Sequence, residues 1–372
     1  MATQIAERIA RSLRRPISVH GVEHVVGASI GIAYGGLSGL GNARAVTADE
    51  VLQNADAAMY RAKSQGGDGI AVFEEGMRAD MAERGRVELV LRRALDEAGG
   101  ASNKSALDGA PHSAPILSAA YQPIFDSRTG ALTGFEALAR LTDANGSIPP
   151  DVFIPIAENT GLIRSLGVLM LDLACSQLAT WRGQTPGLLG VTMAVNVSAL
   201  QAQHASLGAD VRRALAAHHL EPGDLVLELT ETALLQASCA TTETLEALHA
   251  EGVGIAIDDF GTGYASLRYL ATLPVSALKV DRSFTAGLPR DEICRKIVFA
   301  VARLAADMNL ACIIEGVETD SQRAALPDGV ELQGYLTGRP QPSDALDIPN
   351  LLRLGAPWPQ RGYDSSPLRH TA

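Results

Sequence analysis

The chain has 372 residues, of which 47% are apolar and 20% are charged, and its formal net charge is −11. This composition excludes a disordered chain and gives enough length for two domains, while the negative charge and the lack of a basic, aromatic-rich cluster argue against a nucleic-acid partner. No apolar run reaches the roughly 18 residues of a membrane span and the first residues lack the apolar core of a signal peptide, so we expect a cytoplasmic protein with no membrane segment.

Three successive segments are predicted in the first third of the chain. Residues 1–76 form a small N-terminal unit. A connecting helix is predicted for residues 77–98, because Val87, Leu91 and Leu95 fall on one face among charged residues. Residues 99–115 (GGASNKSALDGAPHSAP) lose any hydrophobic period and are rich in Gly, Ser, Ala and Pro, which predicts a flexible linker.

The larger unit, residues 116–346, alternates short β-rich runs with helical segments. The β-rich runs are TGFEALAR, VTMAVNVS, DLVLELTE, VGIAIDDF, SALKVD, CIIEGVE and VELQGY. This repetition predicts an α/β fold with a mainly parallel sheet, and the number of units favours a closed (β/α)8 TIM-like barrel. A doubly wound sheet is the alternative, although no glycine-rich phosphate loop follows an early strand. Residues 347–372 are predicted to form a C-terminal tail.

Acids, amides and one lysine lie near the C-terminal ends of these runs. They are Glu136, Asn196, Glu228, Asp258, Asp259, Lys279, Glu315 and Gln333. In a parallel barrel such strand ends converge on one face. One strand-end acid is most often a helix cap or a solvated charge, but the whole set is hard to explain as caps.

The crowding of these carboxylates predicts bound metal. Without cations between them they would repel one another and have raised pKa values. The four cysteines and eight histidines form no CxxC or HExxH spacing, so a hard ion such as Mg²⁺ or Mn²⁺ is expected. Two adjacent aspartates suit two ions, and paired ions about 4 Å apart favour phosphodiester hydrolysis as the reaction class.

The same positions lie inside motifs that resemble those of the EAL phosphodiesterase family, in family order. The motifs are Tyr121-Gln122-Pro123-Ile124, Glu136-Ala137-Leu138 with Arg140, FIPIAENTGLI at 153–163, Asn196-Val197-Ser198, Glu228-Leu229-Thr230-Glu231, DDFGTGYASL at 258–267, LKVDRSF at 278–284, Glu315-Gly316-Val317-Glu318 and Gln333-Gly334-Tyr335. The tripeptide alone is not specific, since Glu246-Ala247-Leu248 repeats it in a helical segment.

The resemblance implies hydrolysis of cyclic di-GMP to linear pGpG with two Mg²⁺ or Mn²⁺ ions per active site, in a homodimer formed through this domain. The implied metal ligands are Glu136, Asn196, Glu228, Asp258, Asp259 and Gln333, and the implied catalytic residues are Lys279, Glu315 and Glu136. The implied substrate contacts are Gln122, Leu138, Arg140, Asp281 and Tyr335. Glu231 and Glu318 are expected to brace the glycine-containing loop after Asp259.

Two departures from the family pattern stand close to this site. Leu141 occupies a position where the family often has Trp, and Thr337 replaces a common Phe. We expect both to affect guanine packing and affinity more than the chemistry.

The N-terminal residues from Ser29 to Phe73 resemble the latter half of a GGDEF domain, especially ADAAMYRAK at 55–63. The signature hairpin, nucleotide contacts and metal acids belong to the half that would precede this segment, so no diguanylate cyclase activity is expected. Gly66-Gly67-Asp68-Gly69 is interpreted as a turn rather than as the signature.

Two other functions remain open on the sequence alone. A catalytically silent module that binds cyclic di-GMP or another protein would need a fault in metal geometry or dimerisation. An unrelated barrel enzyme acting on a phosphorylated metabolite would require the motif match to be accidental.

Overall fold

The computed structural model describes residues 1–14, 17–19, 22–24, 26–35, 47–64, 68–100, 114–235, 237–262, 270 and 273–353. The chain forms two compact units, Met1–Val90 and Leu91–Ala372. Most of the predicted linker, residues 101–113, lies outside the described residues, as does most of the predicted C-terminal tail. Within the described ranges, no helix is both long and apolar enough to cross a membrane.

The first unit is a small α/β assembly. Its elements are α1 (Ala2–Leu13), β1 (Ile17–Val19), β2 (Val22–His24), β3 (Ile30–Ile32), α2 (Ala48–Ser64), β4 (Ile70–Val72) and the start of α3 (Gly76–Gly100). Strands β1 and β2 pair antiparallel, and β3 and β4 pair parallel. Helix α2 lies so close to β3 that a Cβ on Gly31 would fall 1.9 Å from the Ala55 carbonyl oxygen. Helix α3 contains the connecting helix predicted for residues 77–98.

Asp68, from the tetrapeptide interpreted as a turn, has a structural role in this unit. Its carboxylate accepts hydrogen bonds from Arg14 Nε at 2.6 Å and from the backbone N–H of Ala28 at 3.2 Å. Asp68 therefore links Arg14, which follows α1, to Ala28, which precedes β3. Gly66 and Gly67 of the same tetrapeptide lie outside the described residues.

The second unit begins with a hairpin and continues as alternating strands and helices. Its elements are β5 (Ile116–Asp126), β6 (Leu132–Asp143), β7 (Gly146–Ile148), α4 (Pro150–Thr160), α5 (Ile163–Gln184), β8 (Thr192–Asn196), α6 (Ala199–Ala202), α7 (Leu207–Ala217), β9 (Leu225–Thr230), α8 (Glu231–Leu235), α9 (Cys239–Ala250), β10 (Gly254–Phe260), β11 (Ala277–Val280), α10 (Arg282–Ala286), α11 (Glu292–Asp307), β12 (Ala311–Ile314), α12 (Asp320–Arg323), β13 (Glu331–Leu332) and α13 (Ile348–Arg353). Helix α9 contains the second copy of the tripeptide, as the sequence predicted.

Eight strands close a barrel in the order β5-β13-β12-β11-β10-β9-β8-β6, with β6 paired back to β5. Strands β6 and β8 to β13 pair in parallel, which confirms the predicted barrel. Strand β5 is antiparallel to both of its neighbours. The reason is that only residues 127–131 separate β5 from β6, and so short a connection can join only antiparallel strands.

Aromatic packing fixes α5 against the barrel wall. The Phe135 ring is fully buried, and its centroid lies 4.7 Å from that of Trp181 on α5. Tyr121 on β5 approaches the same indole at 5.0 Å. Since Phe135 directly precedes Glu136 on β6, this packing holds the strand that carries the first predicted metal ligand.

We expect Phe135→Ala to lower the free energy of unfolding by about 3–5 kcal/mol, because it leaves a cavity in the packed wall. The control is Phe299→Ala, which removes a 41% exposed ring on α11 and should change stability far less. Urea unfolding followed by far-ultraviolet circular dichroism measures both variants. Equal losses of stability would contradict this account of the wall.

Candidate metal and active site

The centre of the site is the ammonium group of Lys279, a fully buried side chain on β11. Lys279 Nζ lies 2.8 Å from Glu228 Oε2, 2.8 Å from Glu315 Oε1, 3.3 Å from Glu136 Oε2 and 3.4 Å from Asp258 Oδ1. We call these four acids the carboxylate ring. Its members come from β6, β9, β10 and the end of β12, so barrel closure brings together residues that are up to 179 positions apart.

The strand positions of these residues follow the prediction with one correction. Glu315 directly follows β12, whereas Glu136 was expected at a strand end and instead stands fifth in the twelve-residue strand β6. Strand β6 continues beyond the barrel rim because it stays paired with β5 as far as Thr142 and its last residues also pair with β7. Glu136 still reaches the rim, since it lies opposite Ala194, two positions before the end of β8.

Two amide side chains orient Glu136. Asn196 Nδ2 donates to Glu136 Oε1 at 2.6 Å, and Gln333 Nε2 donates to Glu136 Oε2. The same Gln333 nitrogen donates to Gln122 Oε1 at 3.2 Å. These contacts fix the carboxylate plane of Glu136 beside Lys279.

Gln122 was predicted as a substrate contact, and the structure shows an additional role. Its Oε1 accepts from Gln333 and its Nε2 donates to the Gly338 carbonyl oxygen at 3.0 Å. Sequence reasoning missed this bridge. The signal that could have revealed it is the antiparallel register of the β5–β6 hairpin, which places Gln122 directly opposite Glu136.

The electrostatics of the carboxylate ring are dominated by burial. Burial together with the neighbouring Glu136 raises the pKa of Glu228 well above its usual range. Burial also raises the pKa of Glu315 to about 7, although Lys279 opposes this shift. For Glu136, burial would raise the pKa, but Lys279 and the hydrogen bonds from Gln333 and Asn196 hold it below its usual value. One lysine therefore does not compensate all of the buried negative charge.

Lys279 itself stays protonated. Burial by itself would lower the pKa of its ammonium group, but Glu136, Glu228, Glu315 and Asp258 raise it well above the usual range. In this site Lys279 is consequently a fixed positive charge and a hydrogen-bond donor. It is not a base.

The donor atoms fit divalent cations. Asp258, Asp259 and Glu315 each offer a carboxylate oxygen within 4.8 Å of the others and could hold a metal ion. Glu228 Oε1 and Gln333 Oε1 are buried and have no hydrogen-bond partner among the described residues. Such an all-oxygen set suits Mg²⁺ or Mn²⁺ better than zinc.

A local irregularity of β10 places the two aspartates. The pairing of β10 with β11 shifts register between Ile257 and Phe260, as in a β-bulge, and Asp259 has a left-handed φ of 55°. Asp258 Oδ1 accepts the backbone N–H of Asp259 at 3.0 Å. In a regular strand adjacent side chains point to opposite faces, so the bulge is what allows both carboxylates to approach Glu315.

The other predicted substrate contacts lie on elements of the same rim. Leu138 and Arg140 are half-buried and follow Glu136 at alternating positions, which places all three on one face of β6. Asp281 follows β11 and caps α10 through a 3.0 Å bond from the backbone N–H of Ser283. Tyr335 is 48% exposed, and the guanidinium carbon of Arg339 lies 3.9 Å from its ring centroid.

The two residues predicted to brace the loop after Asp259 differ in their surroundings. Glu231 begins α8 and is buried, and neither of its carboxylate oxygens has a hydrogen-bond partner within the described part of the chain. Glu318 is exposed, and its backbone N–H donates to Gln322 Oε1 at 2.8 Å. Residues 263–269 of the loop lie outside the described residues, so the bracing role stays a prediction.

The fold and the site together define an α/β barrel with a candidate divalent-metal centre at its rim. A family model described as the EAL domain matches residues 107–340, and the chain belongs to this family. The bifunctional diguanylate cyclase/cyclic di-GMP phosphodiesterase MucR of Pseudomonas aeruginosa is 40% identical over 348 residues, which cover 93% of this chain and 47% of MucR. The chain thus spans about half the length of this curated relative.

Solved structures agree with the family assignment. The structure described as the PaMucR phosphodiesterase in complex with c-di-GMP matches with a TM-score of 0.61 and 41% identity, over 70% of this chain and 98% of that chain. The EAL domain of Mycobacterium smegmatis DcpA matches with a TM-score of 0.54 and 33% identity, over 64% of this chain and 97% of its own. Membership of the EAL family confirms the resemblance found in the sequence motifs.

We expect Lys279→Met to lower the free energy of unfolding of the metal-free protein by about 3–5 kcal/mol, because it leaves the carboxylate ring without its buried counter-charge. The matched control is Lys296→Met on α11, whose ammonium group is exposed and pairs only with Glu292 at 3.2 Å among the described residues. This control should change stability little. Urea unfolding in the presence of EDTA makes the comparison, and a wild-type midpoint for Lys279→Met would contradict the assigned role of Lys279.

Proposed function

We propose that this chain hydrolyses cyclic di-GMP to linear pGpG, with two Mg²⁺ or Mn²⁺ ions in the active site. The observation that carries the proposal is the carboxylate ring around a single buried lysine, which leaves negative charge and buried oxygen atoms for cations to compensate. Membership of the EAL family supports the reaction class. The similarity to MucR, whose structure is described with c-di-GMP, supports the substrate.

The proposed ligands form two groups around the ring. The first ion would be held by Glu136, Asn196, Glu228, Gln333 and Asp258. Asp258 would also contribute to holding the second ion, together with Asp259. Bound divalent ions would polarise a phosphoryl oxygen and lower the pKa of a water molecule. Oxygen ligands of this kind are the ones that both metals prefer.

Lys279 and Glu315 would orient and deprotonate the attacking water. Because its neighbouring carboxylates keep Lys279 protonated, its ammonium group would donate a hydrogen bond to this water and orient it. Glu315 would accept the proton. Its pKa of about 7 belongs to the metal-free protein, and nearby cations would lower it, so that the carboxylate is ionised when it acts as the acceptor.

The residues at the rim would position the substrate. The planar guanidinium group of Arg140 suits two oxygens of one phosphate, and Leu138 and Tyr335 offer apolar surface to a guanine base. Gln122 and Asp281 would add polar contacts. Glu231 and Glu318 would brace the loop after Asp259, and the family resemblance supports a homodimer formed through this domain.

The direct test follows product formation. We expect purified protein incubated with cyclic di-GMP and Mn²⁺ to release pGpG, detected by chromatography, and we expect EDTA to stop the reaction because the carboxylate ring then lacks its cations. Protein that binds cyclic di-GMP but releases no pGpG would contradict the proposal. That result would favour the catalytically silent binding module.

A pair of variants tests which copy of the tripeptide carries the activity. We expect Glu136→Ala to lower turnover by at least ~100-fold, because it removes a proposed ligand together with the contacts to Lys279, Asn196 and Gln333. Glu246→Ala, in the identical tripeptide on α9, should keep wild-type turnover. Full activity of Glu136→Ala would refute the metal assignment even if the wild type is an enzyme.

A further inference from the structure

The turn that follows Gln333 is closed by a buried hydroxyl group. Thr337 is 7% exposed, and its Oγ1 donates to the Gly334 carbonyl oxygen at 2.9 Å and accepts the Gly334 N–H at 3.2 Å. The backbone N–H of Gly338 donates to the same carbonyl at 3.0 Å. The Thr337 N–H also donates to this carbonyl at 3.2 Å, so the hydroxyl is the partner of the Gly334 N–H and shares the Gly334 carbonyl with two backbone N–H groups.

One end of this turn contacts the carboxylate ring directly, and the other end is linked to it through the Gln122 and Gln333 side chains. Gln333 donates to Glu136 and to Gln122, and Gln122 donates in turn to the carbonyl of Gly338 at the far end of the turn. The segment from Gln333 through Gly334 and Thr337 to Gly338 therefore forms a closed loop, because the Gln122 side chain joins its two ends. A change in the shape of the turn would move the Gln333 carboxamide relative to Glu136.

Backbone packing of Gly334 against Val317 anchors one side of the turn. A Cβ on Gly334 would lie 2.2 Å from the Val317 carbonyl oxygen, and this oxygen accepts the Leu336 N–H at 2.9 Å. The Val317 N–H donates to the Gln333 carbonyl at 3.2 Å. These contacts locate Gly334, whereas the path from Gly334 to Gly338 is held by the backbone N–H groups of Thr337 and Gly338 together with the Thr337 hydroxyl.

We propose that Thr337 is a positioning residue for the metal centre, whose hydroxyl holds the Gln333 carboxamide against Glu136 and keeps Gln333 Oε1 available as a ligand. This inference rests on the proposed function, because it assigns Gln333 to the metal site. It gives Thr337 a role in metal affinity, where the sequence suggested an effect on guanine packing.

Mn²⁺ binding to the full chain tests the proposal. Thr337→Val keeps the side-chain shape but replaces the hydroxyl with a methyl group, and we expect it to raise the Mn²⁺ dissociation constant by about tenfold, the usual scale for groups that orient a ligand. Thr337→Ser retains the hydroxyl and should restore wild-type affinity. Isothermal titration calorimetry with Mn²⁺ alone measures these constants without reference to activity.

A matched control separates positioning from loss of stability. Thr241 on α9 is also buried, and its hydroxyl lies 2.9 Å from Ser238 Oγ. Thr241→Val should lower the melting temperature without changing Mn²⁺ affinity. Wild-type Mn²⁺ affinity in a folded Thr337→Val variant, or equal weakening in Thr337→Val and Thr337→Ser, would overturn the proposal.

Further outcomes distinguish this inference from the proposed function. If the wild type binds Mn²⁺ but makes no pGpG, the proposed hydrolysis fails, whereas the Mn²⁺ affinities of the variants still decide the role of Thr337. If Thr337→Val does not fold, as judged by circular dichroism, Thr337→Ala repeats the measurement without the added methyl group. Failure of both to fold while Thr337→Ser folds would contradict a role limited to positioning.

Discussion

The structure of the second unit depends on one buried lysine among four carboxylates. Lys279 is inaccessible to solvent, and the carboxylate ring lies within 3.4 Å of its ammonium group. Burying charge is costly unless it is paired, and a single positive charge cannot pair with four negative ones. The raised pKa values of Glu228 and Glu315 express this imbalance. Divalent cations would remove it, which is why the arrangement is suited to a metal centre.

The barrel supplies this arrangement through two departures from a regular parallel sheet. Strand β5 runs antiparallel to its neighbours and so brings Gln122 opposite Glu136, within reach of Gln333. The register shift in β10 brings Asp259 to the same side as Asp258. Neither feature is needed to close a barrel. Both serve to orient oxygen and amide groups around Lys279.

Much of this site could be predicted from the sequence. Each short apolar run ends near a polar residue, and closure of the barrel then brings Glu228, Asp258, Lys279 and Glu315 together. The middle-of-strand position of Glu136 could not be predicted, because the extension of β6 depends on its pairing with β5 as far as Thr142 and with β7. The bridge from Gln333 through Gln122 to Gly338 joins residues more than 200 positions apart, and the hairpin register indicates only that Gln122 lies opposite Glu136. The hydroxyl contacts of Thr337 are likewise visible only once the turn has formed.

Cations bound by the carboxylate ring can be counted. Electron paramagnetic resonance of free Mn²⁺, in a titration of the full chain, gives the number of ions bound. We expect two Mn²⁺ ions per chain, and loss of this binding in Glu136→Ala combined with Asp258→Ala. Binding of no Mn²⁺ by the wild type, or undiminished binding by the double variant, would contradict this expectation.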